Sequence, residues 1–228
     1  MIRTLRTDLE PLPERMLHLP IDHRGYVVPW FVEWVPDQDG IPFPEFRAVS
    51  PHKIRYAVIK KLCWVCGKPL GAHKAFVVGP MCGVNRIAAE PPSHLECARW
   101  SARNCPFLSK PQMVRRTDET FEAMQEEPPG IMIERNPGVV LLWICKGYQV
   151  IGDGRGGKLC SLGDPESVEW YFQGRAATRA EVEESVRTGL PALTAFLPQD
   201  EDRRGVELAL LDAGAAQLAK LYPAEAGA

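Results

Sequence analysis

The order of apolar and polar positions predicts strands and a helix in the first part of the chain. The runs YVVPWFVEW (26–34) and FPEFRAV (43–49) are typical of two strands, and the turn-rich PDQDGIP joins them. A helix is expected to run from Pro51 to about Lys61, because Ser50 can serve as its N-cap and proline suits the first turn. The chain therefore begins with a predicted strand pair followed by a helix.

The C-terminal part shows a different order, in which strands precede helices. Three short apolar runs separated by turn residues, VVLLWIC (139–145), YQVIG (148–152) and KLCSL (158–162), predict a small antiparallel meander. Start and stop signals then predict three helices. These helices are expected from Asp164-Pro165 to Gly174, from Thr178, with Glu181 as its capping-box partner, to Gly189, and from about Asp200 to Leu221.

Proline and glycine positions divide the chain into three predicted parts. A short helix is expected over 117–127, and the Pro-Pro-Gly at 128–130 that ends it is the best candidate boundary. The predicted parts are an N-terminal strand and helix segment (1–61), a cysteine-rich module (62–127) and a C-terminal domain (128–228). Strands and helices that are segregated in this way predict an α+β fold.

Composition is ordinary for a globular protein, but the charge is unevenly distributed. The chain has 228 residues, 45% of them hydrophobic and 25% charged, and a net charge of −2, which argues against disorder or a coiled coil. Residues 61–116 hold nine Lys/Arg and two Asp/Glu, whereas residues 117–228 hold 10 and 19. No apolar run approaches the ~20 residues of a membrane span, so we expect a cytoplasmic protein with no membrane partner.

Cysteines are concentrated in the basic middle of the chain. The protein has seven cysteines, and the five at positions 63, 66, 82, 97 and 105 share one stretch with two histidines, His73 and His94. In a reducing compartment such clustering indicates metal binding rather than disulfide bonds.

The spacing of these residues predicts one Zn²⁺ site. Cys63 and Cys66 lie in CWVCG, where a tight turn can aim two thiolates at one point. After 27 residues come His94 and Cys97, three positions apart on a predicted helix that the capping box SHLE (93–96) would begin. The predicted ligands are therefore Cys63, Cys66, His94 and Cys97.

Other assignments of the cysteines remain open. Cys82 is an alternative fourth ligand in place of His94, and an iron–sulfur cluster held by Cys63, Cys66, Cys82 and Cys97 is a further possibility. The thiols can also be simply buried or redox-active. Cys105 is expected to end the helix, because Pro106 follows it.

The knuckle, an expected β-hairpin around AFVV and Gly-Pro, and the ligand-bearing helix resemble the treble-clef class of zinc fingers over residues 62–105. The resemblance implies a structural zinc with four protein ligands. The strings CWVCG, GPMCGVNR, AEPPSHLECA and CPFL also resemble strings of uncharacterised bacterial and phage proteins, which implies no particular activity.

Basic residues around the finger suggest a function in binding. Trp64, Trp100 and Phe107 are interleaved with them, and together they indicate a face that contacts DNA or RNA phosphates. The candidate nucleic-acid-binding residues are Lys68, Lys74, Arg86, Arg99, Arg103, Arg115 and Arg116. We therefore expect a zinc-stabilised binding protein, with a protein partner for the acidic C-terminal part.

Three alternatives accompany this hypothesis. The basic residues can instead pair with the acidic part of the same chain. The protein can be a metal-dependent enzyme acting on nucleic acid or nucleotides, with a second ion near Cys82, His73 and Asn85. It can also be purely a protein-interaction module.

Overall fold

The computed structural model describes residues 4–49, 51–110, 129–130, 137–154 and 156–225. The predicted helix over 117–127 and the proposed N-cap Ser50 lie outside these residues. The described strands are β1 (Val32–Pro36), β2 (Pro42–Val49), β3 (Lys74–Val78), β4 (Ile87–Ala88), β5 (Val139–Cys145), β6 (Tyr148–Gly152), β7 (Lys158–Leu162), β8 (Pro165–Phe172) and β9 (Arg175–Ala176). The described helices are α1 (Pro51–Lys60), α2 (Pro80–Asn85), α3 (Leu95–Asn104), α4 (Pro106–Ser109), α5 (Arg179–Thr194) and α6 (Glu201–Ala219).

The architecture is α+β, as predicted, with three antiparallel sheets among the described strands. Their strand orders are β1-β2, β3-β5-β8-β9 and β4-β7-β6. The N-terminal prediction is confirmed, because β1 and β2 pair and α1 follows them. The first strand begins only at Val32, three residues after Pro29, which cannot donate a backbone hydrogen bond to a ladder.

The predicted meander is wrong in the pairing of its first strand. β6 and β7 do form a hairpin, but β5 lies between β3 and β8 in the four-stranded sheet. All seven residues of β5 are buried. A strand that is apolar on both faces needs cover on both faces and partners on both edges, so the centre of the larger sheet suits it.

The helix predicted from Asp164-Pro165 to Gly174 is also wrong, because these residues form β8. The run SVEWYF is rich in β-branched and aromatic residues, and this preference outweighs the helix-start signal of the Asp-Pro pair. Gln173 and Gly174 have φ values of 50° and 78°, which suits the two-residue turn of the hairpin that β8 forms with β9.

The C-terminal helices largely follow the prediction. The capping box of Thr178 and Glu181 is present at the start of α5. That helix continues through Gly189 and Pro191 to Thr194 instead of ending at the glycine, and Leu193 beyond them is buried in the main core. Burial of this last turn outweighs the local helix-breaking residues. α6 begins after Asp200, whose side chain accepts a hydrogen bond from the Arg203 amide.

The strand β3 joins the cysteine-rich region to the C-terminal part. It pairs with β5, and Phe76 lies opposite Trp143 in a large core. The hairpin expected inside the finger is not formed, because β3 and β4 belong to different sheets and α2 lies between them. Pro80 at the first position of α2 suits a helix start rather than a tight turn. Among the described helices, none is long and apolar enough to cross a membrane.

Candidate metal centre

A tight turn after α1 carries the first two candidate ligands, Cys63 and Cys66. The Cys63 amide donates to the Lys68 carbonyl at 2.8 Å, and the Gly67 amide donates to the Cys63 carbonyl at 2.8 Å. Gly67 has φ +71°, a left-handed conformation that glycine adopts without strain. The turn therefore brings both thiols to the same side of the chain.

The start of α3 carries the other two, His94 and Cys97. His94 occupies the N-cap position, and Cys97 lies in the first turn. The predicted capping box is absent, because Ser93 forms a backbone bridge with β3 and so lies before the helix. Glu96 instead forms an ion pair with Arg15 at 2.6 Å.

The four predicted ligands come together in one buried cluster. The ligand atoms of Cys63, Cys66, His94 and Cys97 all lie within 4.8 Å of one another. Cys66 Sγ is 3.4 Å from His94 Nδ1, and the His94 amide donates to Cys63 Sγ at 3.3 Å. Ligand atoms of a tetrahedral zinc with S and N ligands lie about 3.5–3.8 Å apart, so the 4.8 Å limit of this cluster is within about 1 Å of the spacing that such an ion needs.

Hydrogen bonding orients the imidazole toward the cluster. His94 Nε2 donates to the Pro69 carbonyl at 2.9 Å, which leaves Nδ1 as the nitrogen that can bind a metal. Contacts with Cys63 and Cys66 raise the pKa of His94 to about 10.

Contacts within the cluster shift the pKa values of Cys63 and Cys97 in opposite directions. Burial opposes ionisation of Cys63, but contacts with Cys66, Cys97 and His94 outweigh it and hold the pKa of Cys63 well below its usual range. Contacts with Cys63 and Cys66, together with burial, raise the pKa of Cys97. Replacement of the protons of this buried group of thiols and imidazole by a metal cation therefore stabilises the cluster.

The N-terminal segment covers the cluster, which sequence reasoning missed. Met16 and Leu19 belong to the same core cluster as the three candidate ligand cysteines and Trp100. The His18 ring donates to the Cys66 carbonyl at 3.0 Å, and Trp100 Nε1 donates to the Glu10 carbonyl at 3.1 Å. The only signal in the sequence was the spacing of apolar positions three or four residues apart, at 5, 9, 12, 16 and 19.

The remaining candidate residues do not join this centre. Cys82 lies on α2 and is not a member of the cluster, and burial raises its pKa to about 11. His73 Nδ1 pairs with Glu166 at 2.7 Å, and Asn85 Oδ1 accepts a hydrogen bond from the Ile87 amide. In the described part of the chain, neither Cys82 nor His73 belongs to a group of three or more His, Cys, Asp or Glu side chains that could hold a metal. Cys105 caps the end of α3, as predicted.

Three of the predicted nucleic-acid-binding arginines have carboxylate partners. Arg86 pairs with Asp164, Arg99 with Glu169 and Arg103 with Glu10. Two of these three carboxylates belong to the acidic C-terminal part, so part of the opposite charge is compensated within the chain. Lys74 Nζ donates to the backbone carbonyls of residues 72 and 146. Arg115 and Arg116 lie outside the described residues.

Comparison of the chain with protein-family models, with curated proteins and with solved structures gives no match. The buried Cys₃His cluster, which could hold a metal, is compatible with a zinc-finger-like segment.

Proposed function

We propose that this chain is a binding protein stabilised by a structural Zn²⁺ ion held by Cys63, Cys66, His94 and Cys97. The observation that carries the proposal is the convergence of four buried ligand atoms within 4.8 Å. Three thiolates and one imidazole complete a tetrahedron and leave no open position for water or substrate. The arrangement therefore favours a structural ion over a catalytic one, and the metal-dependent enzyme is the less favoured alternative.

The zinc would link three parts of the fold. The knuckle follows α1, the other two ligands begin α3, and the N-terminal segment packs over both. We propose that residues 62–105 form a treble-clef-like element in which β3, α2 and β4 replace the usual hairpin. The division of the chain at residues 61 and 127 remains a proposal, and the shared β3-β5 pairing makes the second and third parts best tested as one unit.

Nucleic acid is the ligand class that the charge distribution supports. Residues 51–89 contain seven Lys/Arg and no Asp or Glu. Such an uninterrupted basic segment around the metal centre attracts phosphates. A protein partner for the acidic C-terminal part remains a prediction.

Zinc content of the full chain tests the metal centre. We expect one zinc per chain after purification, and Cys97→Ser should lower this content well below one, because it removes a ligand. Cys82→Ser is the matched control and should keep one zinc per chain. Full zinc in Cys97→Ser, or loss of zinc in Cys82→Ser, would contradict the assigned ligands.

A further inference from the structure

The outward face of α1 carries positive charge that the described residues do not neutralise. Arg55, Tyr56, Ile59 and Lys60 are exposed on this face, and Ala57 is buried on the opposite side. Within the described part of the chain, Arg55 and Lys60 have no carboxylate partner, in contrast with Arg86, Arg99 and Arg103. The basic face of the molecule is therefore centred on α1 rather than on α3.

This face is continuous with the zinc knuckle through Trp30. The half-buried Trp30 ring lies 6.5 Å from the Tyr56 ring, centroid to centroid. On its other side, a Cβ built on Gly67 would lie 2.6 Å from Trp30 ring atoms, so the ring packs directly on the knuckle beside Lys68. Lys68 also has no carboxylate partner among the described residues. We call this surface the α1–knuckle face: Trp30, Arg55, Tyr56, Lys60 and Lys68.

The α1–knuckle face carries two aromatic rings, Trp30 and Tyr56, in addition to its cations. Tyr56 is 52% exposed, whereas Trp30 also contacts Trp64 edge to face at 6.3 Å and is held in place. Lys53 lies over the Trp30 ring at 5.8 Å and donates to the Val32 carbonyl, so it orients the ring rather than serving the face as a free cation. An anchored ring beside an exposed ring, both flanked by cations, is a platform for unpaired bases.

We infer that the α1–knuckle face binds single-stranded nucleic acid, with Arg55, Lys60 and Lys68 contacting phosphates and Tyr56 stacking on a base. The inference rests on the proposed function, because the zinc knuckle positions Lys68 and the floor under Trp30. A single strand is favoured over a duplex because stacking needs unpaired bases. It is favoured over an acidic protein or an anionic membrane because an exposed ring between cations matches the alternation of base and phosphate along a strand.

The expected size of the effect follows from counterion release. Three phosphate contacts predict a slope of log K against log salt of about −2 for a single strand. The double variant Arg55→Gln/Lys60→Gln removes two of the contacts, so the slope should become shallower by about 1.4 and binding at 0.1 M salt should weaken about 25-fold. Tyr56→Ala should weaken binding at least about fivefold without changing the slope.

Fluorescence anisotropy of labelled 20-nucleotide oligo(dT) and oligo(U), titrated with the zinc-loaded full chain across a salt series, provides the test. Arg86→Gln/Arg99→Gln is the matched control, because it removes the same charge from residues that have partners. We expect the control to bind within about twofold of the unmodified chain, because carboxylates already pair with both arginines. The control should stay folded, since surface ion pairs contribute little to the free energy of unfolding. Binding of either oligonucleotide with these variant effects supports the inference.

Several outcomes would overturn the inference. Equal weakening by the two double variants would mean that net charge alone drives binding. Equal affinity for a duplex, or competition by polyglutamate or phosphatidylserine vesicles as effective as that by the oligonucleotide, would exclude the assigned partner. Absence of binding by a zinc-loaded, folded chain refutes the inference and leaves the structural zinc standing, whereas a chain that holds no zinc refutes the proposed function itself.

Discussion

Gly67→Ala perturbs the contact between the knuckle and Trp30 on which the α1–knuckle face depends. Gly67 has φ +71°, and a methyl group there would lie 2.6 Å from Cγ and Cδ1 of the Trp30 ring. A left-handed conformation costs a non-glycine residue about 1–2 kcal/mol. Overpacking against a fixed ring costs about 1–3 kcal/mol more. Together these costs predict a loss of about 2–5 kcal/mol in the free energy of unfolding.

Gly40→Ala is a matched control for the cost of placing alanine in a left-handed backbone conformation. Gly40 has φ +77°, but no atom lies within 4 Å of the position that its methyl group would take. This variant should therefore lose only the ~1–2 kcal/mol of backbone strain. The difference between the two variants isolates the contact of the knuckle with Trp30.

Urea unfolding of the zinc-loaded chain measures both losses, and transfer of zinc to a colorimetric chelator reports on the knuckle. Gly67→Ala should be the less stable variant and should also release zinc faster, because its methyl group displaces the turn that holds Cys66. Equal losses of stability and equal zinc release in the two variants would refute the packing of Trp30 on the knuckle. The continuity of the α1–knuckle face would fall with it.

Three further predictions concern other parts of the account. Met16→Ala should lower the free energy of unfolding in urea by about 2–5 kcal/mol and speed zinc loss, because Met16 is fully buried against the candidate ligand cysteines. Leu17→Ala, at a residue that is 65% exposed, should do neither. Equal effects of the two variants would contradict the packing of the N-terminal segment over the cluster. Calorimetry in buffers of different ionisation enthalpy should show at least two protons released on zinc binding at pH 7, from His94 and Cys97, whose pKa values are raised in the metal-free cluster. Zinc affinity should then rise about 100-fold per pH unit near pH 7. An affinity that does not change with pH would contradict the release of these protons. Thr178→Ala should cost ~1 kcal/mol by removing the capping box of α5, and an unchanged urea midpoint would contradict that role.

Local signals predicted the parts of the fold that local interactions determine. The proline at the start of α1, the capping box of Thr178 and the cap at Asp200 mark helix ends where the structure has them. The same kind of signal misled at Asp164-Pro165, where the pair precedes a strand instead. The preference of the following residues and their pairing with β5 decided the outcome there.

Long-range pairing was beyond the reach of the sequence. β5 meets β3 across a sequence separation of more than 60 residues, and nothing in its own run of apolar residues identifies that partner. The convergence of the four candidate ligands was predictable because each pair has a local spacing that suits a metal. The cover provided by Met16 was not predictable in this way, because it packs on cysteines nearly 50 residues or more away.

Long-range contacts also explain why the arginines of the predicted basic face are paired with carboxylates. Arg99 and Arg103 share one face of α3, as their spacing indicates, but their partners Glu169 and Glu10 lie far away in sequence. Charge counts show how many cations a segment has and not which of them are neutralised. Only the structure separates the paired arginines of α3 from Arg55 and Lys60 of α1, which have no carboxylate partner among the described residues.

X-ray absorption at the zinc edge of the purified full chain reports the ligands of the metal centre. We expect three Zn–S distances of about 2.3 Å and one Zn–N distance of about 2.0–2.1 Å, with no oxygen ligand. A chain without zinc, a zinc with two sulfurs and bound water, or four sulfurs and no nitrogen would contradict the centre formed by Cys63, Cys66, His94 and Cys97.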